Sequence, residues 1–227
     1  TAHAEKPAPA HDEPASPAEK PAEAHDAHGA AAEPAKPAPS GAVEAARAAE
    51  AKGLLGLGAS LSERKDYAAA EIAYRQILNS TKYTKLEKID ALLGLARMFR
   101  QEGTLTKTAA IYEKYLKDFP DHPQVPDVLL DLGRTLRAMG AYRLAIARFY
   151  NVLNSTLKLP GDNYDHYQLL AKTAQFEIAE TQFMAGNFAE AAKYFARLRL
   201  LDLAPADRAR AHFKSAYALQ LAGDNEG

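Results

Sequence analysis

The chain contains 227 residues, of which 47% are apolar and 25% are charged, and its formal net charge is -1. It contains no cysteine, which excludes disulfide bonds, thiol catalysis and cysteine-ligated zinc sites. No apolar run approaches the roughly 20 residues that a helix needs to cross a bilayer, so we expect no membrane span. We expect no nucleic acid among the partners, and the sequence indicates no oligomeric state.

Residues 1–40 differ in composition from the rest of the chain. They contain eight of the thirteen prolines and no Leu, Ile, Val or aromatic residue, and three lysines stand against seven acidic residues. Such a segment buries no apolar surface that could offset the entropy lost on ordering, so we predict a disordered tether rich in Pro, Ala and Glu. Metal sites need fixed geometry, and we predict none among the four histidines found here, which are His3, His11, His25 and His28.

Five copies of one pattern follow the tether, and the second copy displays it most fully. Its apolar residues fall on one face of each of two predicted helices, with Leu92, Leu95, Ala96 and Phe99 in the first and Ile111, Tyr112, Tyr115 and Leu116 in the second. Gly103 ends the first helix because it adopts the left-handed conformation without a Cβ penalty, and Pro120 cannot continue the second. The pattern predicts a helical hairpin.

A small residue recurs at one place in the first helix of each copy. These small anchors, spaced by 38, 37, 46 and 37 residues, are Gly58, Ala96, Gly133, Ala179 and Ala216. We expect helices to cross closely at these positions, and we expect Gly53 and Gly56 to be close-packing points as well. The copies cover approximately residues 51–82, 89–120, 126–157, 172–203 and, in part, 209–227.

This arrangement resembles the tetratricopeptide repeat (TPR) family, whose 34-residue unit carries a Leu-Gly pair, a Tyr, a Gly or Asn turn, then Ala, an aromatic residue and Pro. The resemblance covers roughly residues 42–227. It implies an all-α fold, in which an α-solenoid of stacked TPR-like hairpins over residues 41–227 follows the disordered tail. Three residues depart from the pattern: Thr108 stands where Ala is usual, and Gln175 and His212 replace a large apolar residue.

Two connections between copies are rich in turn signals. Residues 120–127 contain three prolines, and Pro126 suits the first turn of the next helix. Residues 158–165 contain a Pro-Gly pair, and we expect helix to resume near Tyr164 or Asp165.

Motifs for catalysis are missing from the sequence. It lacks a phosphate-binding Gly-rich loop, a His-Glu-x-x-His motif and a Gly-x-Ser-x-Gly motif. His122, His166 and His212 are dispersed among predicted corners and helix faces and form no constellation. We therefore predict neither an enzyme nor a cofactor site.

A stacked hairpin array offers a concave surface lined by the first helix of each repeat, so binding is the expected function. Four arginines at equal offsets in two neighbouring copies are predicted to form an arginine wall, namely Arg97, Arg100, Arg134 and Arg137. By resemblance to family members that hold peptides in this groove, Phe176, Phe183, Phe213 and Tyr217 would continue the wall. We predict a protein or peptide partner with an acidic, partly aromatic segment. The alternative is that the arginines are solvated and partly paired with Asp127, Asp131 or Glu102, and that the aromatic residues pack against missing helices.

Residues 119–129 resemble bacterial envelope repeats, including those of the Tol-Pal-associated cell-division coordinator and of the lipoprotein of the outer-membrane β-barrel assembly machinery. This resemblance implies a scaffold or adaptor in the bacterial periplasm or cell envelope, with the tether reaching past a surface. A cytoplasmic location is the alternative. The chain could instead be a structural subunit of a secretion or assembly complex, or an accessory repeat region of a longer protein.

Overall fold

The computed structural model describes residues 40–157 and 163–223, and in these ranges the chain forms helices joined by short connections. The predicted all-α fold is therefore confirmed for the described part. The predicted disordered tether covers residues 1–40, of which residues 1–39 lie outside the described ranges and Ser40 begins the first helix. The helices are α1 (Ser40–Glu63), α2 (Tyr67–Asn79), α3 (Lys85–Glu102), α4 (Leu105–Asp118), α5 (Val125–Ala138), α6 (Tyr142–Thr156), α7 (Tyr164–Met184), α8 (Phe188–Leu198) and α9 (Pro205–Ala222).

Each helix packs against its neighbours in the chain, which produces a row of stacked hairpins. In addition, α1 contacts α3 and α5 contacts α7, whereas even-numbered helices of successive hairpins make no comparable contact within the described residues. Ion pairs between side chains also link α3 to α5 and α7 to α9, so the odd-numbered helices lie side by side along one face of the array. We call their solvent-facing side the inner face. None of the described helices is both long and apolar enough to cross a membrane.

The small anchors let an aromatic ring from the second helix of a hairpin approach the backbone of the first. A Cβ built on Gly58 would lie 2.7 Å from Cζ of Tyr74, and one built on Gly133 would overlap the ring of Phe149. Close packing at these two glycines is thus confirmed. Alanine anchors in the second and fourth hairpins are fully buried, as Ala96 and Ala179 show.

The expectation for two other glycines is wrong. A Cβ on Gly53 or Gly56 would meet nothing within 4 Å. Both residues lie on the side of α1 that, in later hairpins, faces the preceding hairpin. Because no hairpin precedes α1 in the described part of the chain, this side of the helix has no helix to pack against.

Several helix ends follow the predicted chemistry. Gly103 caps α3 with a left-handed φ of 86°, Pro126 lies in the first turn of α5, and α7 begins at Tyr164. The unusual Thr108 is fully buried, and its Oγ1 donates to the carbonyl oxygen of Thr104 at 3.2 Å. This internal hydrogen bond satisfies the hydroxyl, so Thr fits where the pattern usually has Ala.

The connection between α4 and α5, residues 119–124, is hydrogen-bonded to a buried side chain of α4. The hydroxyl of Tyr115 lies 2.7 Å from Nδ1 of His122, which also accepts a hydrogen bond from the backbone N–H of Gln124 at 3.3 Å. With two donors directed at it, Nδ1 acts as an acceptor, so the neutral ring carries its proton on Nε2. This connection is therefore fixed relative to α4.

Candidate protein-binding groove

The inner face contains a cavity of about 540 Å³ where α5, α7 and α9 come together. We call it the large cavity to distinguish it from two smaller ones on the inner face; a more open depression between α4 and α6 measures about 640 Å³. Its volume is within the range of pockets that bind ligand groups. Apolar side chains line one part of it, including Leu169, Phe176, Met184 and Leu203. The charged lining consists of Arg134, Arg137, Lys172 and Arg210 together with Glu177, Glu180, Asp202 and Asp207.

Two of the four predicted wall arginines share one carboxylate from the neighbouring hairpin. Nε of Arg134 lies 2.6 Å from Glu177 Oε1, and Nη1 of Arg137 lies 2.5 Å from Glu177 Oε2. The Glu177 side chain is only 13% exposed, so these charge-assisted hydrogen bonds are shielded from solvent. The arrangement joins α5 to α7 and balances the charge at this part of the groove.

A second acidic residue, Asp131, lies close to two of the wall arginines, Arg100 and Arg134. Asp131 Oδ1 lies 3.6 Å from Arg100 Nη1 and 3.7 Å from Arg134 Nη1, and the Tyr112 hydroxyl lies 3.4 Å from Asp131 Oδ2. Burial, reinforced by the negative charge of Asp131, raises the pKa of Tyr112 to about 12. Tyr112 therefore stays neutral and can donate to the carboxylate.

Arg97 differs from the other three arginines. Its Nε donates to the carbonyl oxygen of Leu93 at 3.2 Å, and no carboxylate of the described residues lies within 4.0 Å of its guanidinium nitrogens. It lies between two smaller cavities of about 360 and 400 Å³ and lines both. Arg97 is thus the member of the predicted wall whose charge is least compensated.

Three of the four wall arginines pair with acidic residues of the chain, as the alternative interpretation expects, and one of these acids, Glu177, was not among the expected partners. Asp131 pairs as considered, but Asp127 binds Nε2 of His166 at 3.0 Å, and Glu102 accepts a hydrogen bond from the Thr104 hydroxyl at 2.8 Å. Sequence reasoning missed Glu177. Its only signal was its position two residues before the small anchor Ala179, across the connection of irregular length.

The predicted aromatic residues divide into two groups. Phe176 lines the large cavity, with the Arg210 guanidinium 6.0 Å from its ring centroid. Phe183, Phe213 and Tyr217 instead form a cluster in which Tyr217 lies 5.6 Å from Phe183 and 6.0 Å from Phe213, measured between ring centroids. Phe213 is 67% exposed and does not line the cavity. The eight predicted residues therefore do not all line the large cavity.

A further acid extends the charge pairing to the last described helix. Glu180 of α7 lies 2.8 Å from Arg210 Nη2 and 3.2 Å from Lys214 Nζ, both on α9. The large cavity is consequently lined by four positively and four negatively charged side chains. The cavity has no formal excess of charge, in contrast to the basic wall expected from the arginines alone. Their role in binding stays a prediction.

Comparison with known proteins agrees with this architecture. The tetratricopeptide repeat family model matches residues 90–122 and 173–201. A search of curated proteins finds no match to the chain. Among solved structures, MamA AMB-1 has a TM-score of 0.53 at 19% identity over 78% of this chain and 84% of that chain. BtubC (BKLC) from P. vanneervenii has a TM-score of 0.60 at 17% identity over 82% of this chain and 84% of that chain.

A third solved structure, of TPR-like repeats from a Podosopora anserina protein described as a kinesin light chain, has a TM-score of 0.58 at 17% identity. The match covers 77% of this chain and 87% of that chain. These likenesses establish the fold. TPR arrays are typically non-enzymatic modules for protein interaction. The family model thus identifies tetratricopeptide repeats at residues 90–122 and 173–201, and the solved structures show that the array has a TPR-like fold.

Proposed function

We propose that this chain is a non-enzymatic adaptor that binds a peptide or protein segment along the inner face of its odd-numbered helices. The observation that carries the proposal is the large cavity, which combines an apolar lining with charged groups that fix orientation. A TPR-like array presents such a surface on rigid helices, so little ordering entropy is lost when a partner binds.

The partner segment carries at least one acidic and one apolar side chain. Arg97 is the preferred contact for the acid, since its guanidinium is compensated by no carboxylate of the described residues. An apolar side chain of the segment fits the part of the large cavity around Leu169 and Phe176. Leu169 is 62% exposed, so a partner that covers it removes apolar surface from water.

The site of action that we propose is the bacterial periplasm or cell envelope. Support comes from the sequence, namely the resemblance of residues 119–129 to envelope repeats and the Pro- and Ala-rich segment before the array. Fractionation of source cells that express the protein from its native locus tests this part. Recovery with cytoplasmic markers would contradict it.

Selection of random 12-residue peptides displayed on phage tests the binding proposal. We expect enriched peptides that combine an acidic with an apolar residue, and whose binding weakens as salt rises. Arg97→Glu and Leu169→Asp should each reduce binding. Two matched controls on α6, Arg143→Glu and Leu144→Asp, should leave it unchanged, because these residues are exposed on the opposite layer and Leu144 is 58% exposed.

Failure would take either of two forms. Peptides that bind all four variants equally would place the binding site away from the inner face. No enrichment over an unrelated helical protein would favour the alternative function, a structural subunit whose groove is filled within a larger complex.

A further inference from the structure

The equal numbers of positive and negative side chains around the large cavity conceal an unequal pairing of the individual groups. The three arginines of the lining all bind carboxylates of α7, at distances of 2.5–2.8 Å. The fourth basic group, Nζ of Lys172, donates to the backbone carbonyl oxygen of Asp202 at 2.7 Å. Every basic side chain of the lining therefore already has a partner within the chain.

Two carboxylates of the same lining, those of Asp202 and Asp207, lack such a partner. No Lys, Arg or His nitrogen of the described residues lies within 4.0 Å of either group, whereas the other two acids of the lining each bind two cations. Both aspartates are exposed. Once the paired groups are set aside, two negative charges remain at the cavity against the single ammonium group of Lys172.

An apolar wall lies next to these carboxylates. Leu169 and Phe176 are about one helical turn on either side of Lys172, whose ammonium group is bonded to Asp202, and all of these residues line the cavity. The Phe176 ring also has the Arg210 guanidinium 6.0 Å from its centroid, so a cation already lies over this ring. Lys and Arg side chains bury their methylene stems along apolar surface and keep the charged head among polar groups. The lining therefore matches a basic side chain in both of its parts.

We propose that the large cavity binds a Lys or Arg side chain of the partner segment, with the cationic head at the carboxylates of Asp202 and Asp207. This inference rests on the proposed adaptor function and adds a basic side chain to the acidic and apolar ones already required. The wall from Leu169 to Phe176 extends about 10 Å along α7, so the stem packs on it beside the apolar side chain. Arg97 is on α3, whereas the aspartates are in or just before α9, so the acid and the base of the segment contact different helices and the segment binds in one direction.

N-acetyl-lysine methylamide tests this subsite without knowledge of the partner. In an NMR titration of the full chain, we expect it to shift the backbone amide resonances of residues 172–176 and 202–207. Dissociation in the millimolar range is expected, because so small a ligand makes few contacts. N-acetyl-norleucine methylamide carries the same carbon chain without the ammonium group and should bind roughly threefold more weakly. Added salt should weaken binding of the lysine derivative alone.

Replacing both aspartates with asparagine, Asp202→Asn with Asp207→Asn, should remove the difference between the two probes. Asp165→Asn is the matched control, since Asp165 is an exposed acid in the first turn of α7, as Asp207 is in α9, but does not line the cavity. Circular dichroism establishes that the variants are folded. Equal affinity for both probes on the unmodified chain, or shifts only at residues outside the cavity, would overturn the proposal.

The phage selection separates this inference from the adaptor function itself. Among peptides enriched by the unmodified chain, Lys and Arg should be more frequent than in the unselected library. Asp202→Lys with Asp207→Lys should favour Asp and Glu in their place, because the charge of the subsite is reversed. Enriched peptides without a basic residue would overturn the inference and leave the adaptor function standing. No enrichment at all would overturn the adaptor function and, with it, this inference.

Discussion

Replacing Gly133 with leucine tests the packing principle on which the whole array depends. A Cβ at this position would overlap the ring of Phe149, and that ring is completely buried, so it has no solvent into which it can move. The three further heavy atoms of leucine require the α5–α6 contact to open. Overpacking of a well-packed core costs about 1–3 kcal/mol, and the improved helix propensity of leucine over glycine offsets at most about 1 kcal/mol.

Gly56→Ala is the matched control, because the glycine is also inside a helix but a Cβ there meets nothing within 4 Å. This substitution should raise the free energy of unfolding by about 0.5–1 kcal/mol. Urea titrations followed by circular dichroism measure both changes. If Gly133→Leu matches or exceeds the stability of the unmodified chain, the proposed role of the small anchor in helix packing is wrong.

Three further predictions concern stability. Burial raises the pKa of Tyr112 and of Tyr115 to about 12, so their contribution to folding stability is present below pH 10 and is lost as pH rises from 10 to 12. Urea titrations should show that the free energy of unfolding falls by up to about 3 kcal/mol per tyrosine over this pH range. This loss should be smaller in Tyr112→Phe and in Tyr115→Phe. Glu177→Ala leaves two guanidinium groups without their shared carboxylate and should cost about 1–3 kcal/mol in the same titrations, whereas Glu190→Ala, which breaks an exposed pair, should cost under about 0.5 kcal/mol. Deleting residues 1–39 should leave the thermal midpoint nearly unchanged, and a loss of several degrees would show that the tether docks on the array.

Periodicity was sufficient for the features that depend on backbone geometry and side-chain size. Gly103 and Pro126 mark helix ends through their own conformational limits, so the structure places the ends as expected. The close packing predicted at Gly58 and Gly133 is also confirmed, because each glycine lies against an aromatic ring of the next helix. Gly53 and Gly56 did not match, because their environment depends on whether another hairpin packs against α1, which local sequence does not specify.

The charges of the groove could not be derived from the same pattern. Equal offsets place Arg97 and Arg134 on one face, but they do not determine which acid a long side chain reaches. The decisive acid, Glu177, is 43 residues from Arg134 and follows the connection of irregular length. A prediction based on one sign of charge consequently overestimated the positive potential of the inner face.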